Sequence, residues 1–199
     1  MKKFIAFTLS EVLVTLGIIG VVSAMTVPTL MRNHQRQVFT TQLRKVYSEM
    51  SQAFQQVMTD RHAINLTETK MFKNGPETFF KTYLKTTQVC KGSDMSDCLG
   101  TGYEDFDGKA LSVTNFASNS ACAVLTSGAV VCMTPAMYMA VDVNGKQGPN
   151  IAGRDYFGLQ VYPNGEINGA CNVAQSVDYD VSLRTAFGHI VKNGWQMDY

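Results

Sequence analysis

Between Phe7 and Leu30 the chain holds 24 positions and a single ionisable side chain, Glu11. A carboxylate inside so apolar a run costs about 2.5–3.5 kcal/mol to insert in lipid, so it normally marks a functional partner. A second set of chemically capable residues lies far down the chain. Asp142, Asn144, Asn150 and Asp155 are hard oxygen donors which, with backbone carbonyls, have the character of a calcium shell. Their spacing lacks the Glu that closes an EF-hand, and Arg154 sets a competing cation beside Asp155. The same residues also read as an Asn-Gly turn whose side chains cap the loop, and this reading carries more weight. Asp105-Phe106-Asp107-Gly108 reads as a solvated acidic turn. Cys90, Cys98, Cys122, Cys132 and Cys171 include no Cys-x-x-Cys pair, and His34, His62 and His189 lie apart from them, so a zinc site is not indicated. A hairpin turning about Ser127 sets Cys122 opposite Cys132, where a disulfide can close across the strands. Cys90 and Cys98 either close a small loop or one of them meets Cys171, which leaves one thiol over. No nucleophile has a catalytic motif around it, and Gly100-Thr101-Gly102 lacks the strand-to-helix setting of a nucleotide fingerprint. An enzyme is not expected.

Lys2 and Lys3, then Phe7-Thr8-Leu9-Ser10-Glu11-Val12-Leu13, then Pro28, stand in a joint register. That register resembles the processing motif of type IV pilins and type II secretion pseudopilins. The resemblance implies that residues 1–6 are a leader, cut between Ala6 and Phe7 by a prepilin peptidase that also N-methylates the new amine. Glu11 then becomes the fifth residue of the mature chain, and Pro28 falls where many members carry a helix-kinking Pro. The family usually has Gly before the cut, and this chain has Ala6. The implied function is a structural subunit of a type IV pilus or a type II secretion pseudopilus, polymerised with like subunits through its first helix. In the filament core the cationic amine of Phe7 would be neutralised by Glu11 of a neighbour, a pairing that low dielectric strengthens. The implied location is the inner membrane, crossed once, with the C-terminal domain outside the cytoplasm, where disulfides persist. Asp-x-Asn-Gly loops of pseudopilin-like subunits sometimes hold calcium, which adds to the reading of 142–155. The alternative is a membrane-anchored minor or competence pilin that holds a ligand or DNA. An ordinary secretory signal, cleaved near Ser23-Ala24-Met25, is opposed by Glu11, which interrupts the apolar core.

These residues need elements to carry them. At about 1.5 Å per residue the segment 7–30 reaches roughly 36 Å as a helix, enough to cross a bilayer. Val38/Phe39, Leu43, Val46/Tyr47, Met50, Phe54 and Val57/Met58 then recur at spacings of three and four, while Arg36, Thr40, Arg44, Ser48 and Gln55 take other faces. The spacing predicts one helix of about 50 residues ending near Asp60, kinked or loosened by Pro28 and by Gly17 and Gly20. Gly20 and Ala24 form a small-xxx-small pair suited to close helix packing. A short helix is predicted over 77–85. Strands are predicted over 110–116, 122–126, 129–133, 138–143, 156–162 and 188–191, with Trp195 packing the last onto the sheet. The fold class is α+β, an antiparallel sheet packed on the amphipathic half of a long helix. The expected division is a leader 1–6, a membrane and polymerisation segment 7–30, and a globular domain 31–199, with no linker between stem and head. Residues 32–91 carry ten Lys/Arg against four acids, and residues 92–199 five against eleven. A net charge of +1 offers no general nucleic-acid footprint, but the uneven halves make a dipolar subunit fit for stacking.

Overall fold

The computed structural model describes residues 8–113, 119–169 and 183–199. Its first element is a helix of 52 residues, α1 (Leu9–Asp60), which runs unbroken through Pro28. Six strands follow, β1 (Thr86–Lys91), β2 (Ala121–Leu125), β3 (Val130–Met133), β4 (Tyr138–Asp142), β5 (Tyr156–Val161) and β6 (Ile167–Gly169). They pair in chain order as one antiparallel meander. Two short helices, α2 (Glu77–Tyr83) and α3 (Ala186–Lys192), and a 3-10 turn over Gly92–Asp97 complete the described elements. The layout is α+β, as the patterning predicts.

The chain divides into two compact units, Met1–Gln37 and Val38–Tyr199. The boundary lies seven residues beyond the expected one after Leu30, at the first residue of the amphipathic repeat, although α1 itself is continuous there. Within the second unit Phe39, Leu43, Val46, Met50, Phe54, Val57 and Met58 are buried, the stripe that the three-and-four spacing marks. Thr40 is buried with them rather than on another face, because the apolar stripe of a core-facing helix is wide enough to take a small neighbour. Phe54 stacks on Phe79 of α2 at 5.1 Å between ring centroids and meets Phe72 edge-on, which ties the end of α1 to the segment after it.

Alternation along the strands sorts the sheet into two buried faces. Ala121, Ala123, Leu125, Val131, Met133, Met139, Val141, Phe157, Leu159 and Val161 share one core with α1. Cys122, Val130, Cys132, Ala140 and Tyr156 face a second, smaller core closed by Met95, Cys98, Leu99 and Tyr103. A sheet covered on both sides needs apolar residues at nearly every position, which is why these strands read as near-continuous apolar runs.

Three expectations differ from the structure. The segment 188–191 is helical, part of α3, since Ala186, Phe187 and Ile190 make one buried side at helical spacing and so short a run has no period of its own. α3 ends in a Schellman turn. Gly194 (φ +67°) donates its N–H to the Val191 carbonyl, and the Trp195 N–H reaches the Ile190 carbonyl. Trp195 therefore packs edge-on against Tyr47 of α1 at 5.3 Å and Phe187 of α3 at 6.0 Å, with the Arg44 guanidinium 5.7 Å from its ring centre, and holds no terminal strand. The strand expected over 110–116 is, in its described part, a single bridge from Ala110 to Glu104. β1 and β6 carry too few apolar residues for the patterning to mark them, and both are edge strands.

Candidate functional site

The first helical half presents apolar side chains all round. Leu9, Val12, Leu13, Val14, Leu16, Ile18, Ile19, Val21, Val22, Met25, Val27, Leu30 and Met31 are all exposed, Leu9 to 78%. It is the one described helix long and apolar enough to cross a membrane. Gly17 and Gly20 have open space where a Cβ would stand, so they leave a shallow strip that another helix can approach. Pro28 has no N–H for the carbonyl four residues back, and the helix continues past it.

Glu11 opens this helix. Its Oε2 accepts the Thr8 N–H at 2.8 Å and the Thr8 hydroxyl at 2.8 Å, while the Glu11 N–H donates to the Thr8 Oγ1 at 3.3 Å. This is a reciprocal capping box, Thr8-x-x-Glu11, and it satisfies donors that every helix start leaves open. The sequence carries that signature, and reading Glu11 only as a charge for a partner passes over it. Ala6 and Phe7, the expected processing junction, lie outside the described residues, as does Cys171.

The loop between β4 and β5 carries Asp142, Asn144, Asn150 and Asp155, and spends them on its own backbone and on the 101–103 segment packed against it. Asp142 accepts the Tyr103 hydroxyl through a short hydrogen bond, and the Asn144 N–H at 3.2 Å. Asp155 accepts the N–H groups of Asn150 at 2.8 Å and Ile151 at 2.6 Å. Asn144 Nδ2 donates to the carbonyls of Gln147 and Gly148, and Asn150 Nδ2 to that of Thr101. The amide oxygens of Asn144 and Asn150 take no donor. Gly145 (φ +66°) lets the loop press on the β2–β3 turn, since a Cβ there would stand 2.5 Å from the Gly128 carbonyl oxygen.

Burial sets the electrostatics of this knot. It pushes the Asp142 carboxyl up to about 7, against the lowering effect of the Tyr103 hydrogen bond, and raises Asp155 as well. Tyr103 is raised in turn by burial and by the Asp142 charge, and the Tyr156 ring lies 4.8 Å from its own. No sequence signal marks Tyr103 as a member. Among the described residues no group of three or more His, Cys, Asp or Glu is placed to hold a metal ion. The hydrogen bonds of Asp142, Asn144, Asn150 and Asp155 include those of a turn whose side chains cap the loop.

The cysteines pair as Cys122–Cys132 and Cys90–Cys98. The first joins directly opposed residues of β2 and β3, Cα atoms 3.9 Å apart, in the register that a turn at Ser127 requires. The second closes the 3-10 turn, so the small-loop alternative is the one realised. Cys90 sits opposite Cys122, which sets both bridges side by side on the second face of the sheet. His34 and His62 are exposed on and just past α1, and His189 lies in α3. The structure brings none of them to a carboxylate or a thiol among the described residues.

The model of a family of unknown function (DUF6613) matches residues 29–177, from the last residues of the apolar segment to beyond β6. No curated protein and no solved structure matches the chain.

Proposed function

The chain belongs to the DUF6613 family, and we propose that it is a pilin-like subunit, a structural building block of a type IV pilus or type II secretion pseudopilus. The observation that carries this is the division of α1. One unbroken helix is apolar and exposed from Leu9 to Met31, then buries one side from Phe39 to Met58 against an antiparallel sheet. Its sole carboxylate in the apolar half stands three residues in, at the register of the processing motif. A helix so built has two uses for its exposed half: a place in the bilayer before assembly, and a place among copies of itself after it. Cutting at Ala6-Phe7 frees a cation that Glu11 of a neighbour neutralises, which fixes the axial step between subunits.

The partners that follow are like subunits, the prepilin peptidase and methyltransferase, and the inner membrane, with the second unit outside the cytoplasm, where Cys90–Cys98 and Cys122–Cys132 stay oxidised. The reading calls on no catalysis and no nucleic acid. It assigns the 142–155 loop to bracing the head and calls on no calcium there, because Asp155 serves donors of the loop's own backbone and Asp142 serves the Tyr103 hydroxyl and the Asn144 N–H. Mass spectrometry of the mature amino terminus from cell membranes tests the proposal. The expected chain begins with N-methylated Phe7. An unmodified chain beginning after Ala24 would overturn it.

A further inference from the structure

We infer that successive subunits join head to tail through two complementary patches of the second unit. In this contact the acidic turn at 104–107, with the Phe106 ring at its tip, seats in a pocket walled by Leu66, Phe72, Pro135 and Met137 and rimmed by Lys70 and Lys73 of the next copy. The inference rests on the filament reading above and names the surface through which heads meet.

Phe106 is 40% exposed, with Glu104 and Asp107 exposed on either side of it. A lone exposed Phe is ordinary; its setting is what distinguishes this one. The ring is held from behind, against Tyr199 at 5.8 Å and against Gly153, where a Cβ would stand 2.6 Å from Cε2. The backbone beneath is fixed as well, because the Asp105 carboxylate accepts the N–H groups of Asp107 and Lys109. A rigid aromatic tip flanked by charge is the kind of anchor that carries binding energy when it enters an apolar pocket. With Lys109 in the same turn, the patch keeps a surplus of negative charge.

The pocket has the opposite character. Leu66 and Phe72 form a buried apolar floor, Pro135 and Met137 of the β3–β4 turn form a wall, and among the described residues no carboxylate lines it. Among the described residues the ion pairs are Glu77 with Lys81 and Lys91, and Lys70 and Lys73 are in neither. Two cations beside an apolar floor therefore face a surface whose counterpart, an apolar tip between acids, exists elsewhere on the same molecule.

Placement turns complementarity into polymer geometry. The acidic turn lies on the β4–β5 loop, for Glu104 pairs with Ile151 and donates its N–H to the Asn150 carbonyl. That is the Asp142 end of β4. The pocket lies at the Tyr138 end, where the Val161 N–H reaches the Met137 carbonyl and the Leu66 N–H the Pro163 carbonyl. Tip and pocket thus sit at opposite ends of the sheet, separated by the length of β4, so no head can fill its own pocket. Joining unlike patches on two copies is a heterologous contact, and one that does not close on itself builds an open filament. Charge across it sets register and excludes wrong neighbours more than it adds affinity.

The full chain, in cells that assemble it, tests the contact. Lys70→Glu/Lys73→Glu and Glu104→Lys/Asp107→Lys should each lower the yield of sheared polymer about tenfold, and the chain carrying both pairs should regain most of it. A photo-cross-linker at Phe106 should join two copies, with the second attachment mapping to 66–73 or 135–137. Single reversals that polymerise at wild-type level, or losses that the double exchange leaves unrepaired, would overturn the contact. So would a cross-link to another protein or another surface. A wild-type chain that yields no sheared polymer would sink the filament reading instead, and this contact with it.

Discussion

At the scale of single residues, Glu11 has two duties that substitutions can separate. It caps its own helix through Thr8, and in a filament it would meet the Phe7 amine of a neighbour. Gln keeps an oxygen for the Thr8 N–H and suits the third position of a capping box, but carries no charge. Ala removes both. Sheared filament should therefore fall in the order wild type, Glu11→Gln, Glu11→Ala, while the membrane-bound pool stays constant, since losing a carboxylate eases insertion. Wild-type filament yield from Glu11→Ala would show that no charge pairing acts there. Asp142 makes a different prediction. A carboxyl that folding holds protonated up to about 7 keeps a proton that the unfolded chain has already lost. Stability thus falls as pH rises from the ordinary carboxylate range through about 7, and is flat above. Asp142→Asn removes that dependence and keeps an oxygen for the Tyr103 hydroxyl. Urea midpoints of the detergent-solubilised chain at pH 5, 6 and 8 should decline for wild type and decline less for Asp142→Asn. Parallel declines would mean that Asp142 ionises normally. Glu11 was legible as a motif, whereas Tyr103, which sits 39 residues from Asp142, became visible only in the fold.

At the scale of elements, the β2–β3 hairpin is the most local piece of the head, and its register was legible because a tight turn fixes opposed pairs by counting. The Cys122–Cys132 bridge closes a short loop that the hairpin already favours. On a chain-entropy estimate it contributes about 2–3 kcal/mol. Replacing both cysteines with Ala should lower the urea midpoint accordingly while leaving Cys90–Cys98 intact on non-reducing peptide maps; an unchanged midpoint would mean that the hairpin register needs no bridge. α1 was legible for a similar reason, since 52 residues give periodicity room to speak. α3 was not: seven residues with Ile190 and Val191 side by side fit strand or helix equally, and contact of Phe187 with Tyr47 selects the helix.

At the scale of the whole molecule, the second unit has its own core, whose described members run from Phe39 to Met197. A chain beginning at Asn33 should leave the membrane fraction, keep its far-ultraviolet helix and strand signal, and stay monomeric at micromolar concentration by light scattering. It should not form filaments. Aggregation or loss of cooperative melting would show that the apolar half also supports the head. The uneven charge of the two sequence halves has a counterpart in the fold, with Lys70 and Lys73 near one end of the sheet and Glu104 and Asp107 near the other.

The sequence by itself determined the long helix, its change from all-round apolar to one-sided, the α+β class and the Cys122–Cys132 register. Each of these follows from local spacing, which needs no knowledge of distant contacts. The tertiary structure alone decided that Tyr103 meets Asp142, that both faces of the sheet are buried, that Trp195 packs on Tyr47 of α1, and that the acidic turn and the lysine-rimmed pocket occupy opposite ends. Those facts depend on residues tens of positions apart meeting in space, and pairwise meetings of that kind leave no period or spacing in the chain.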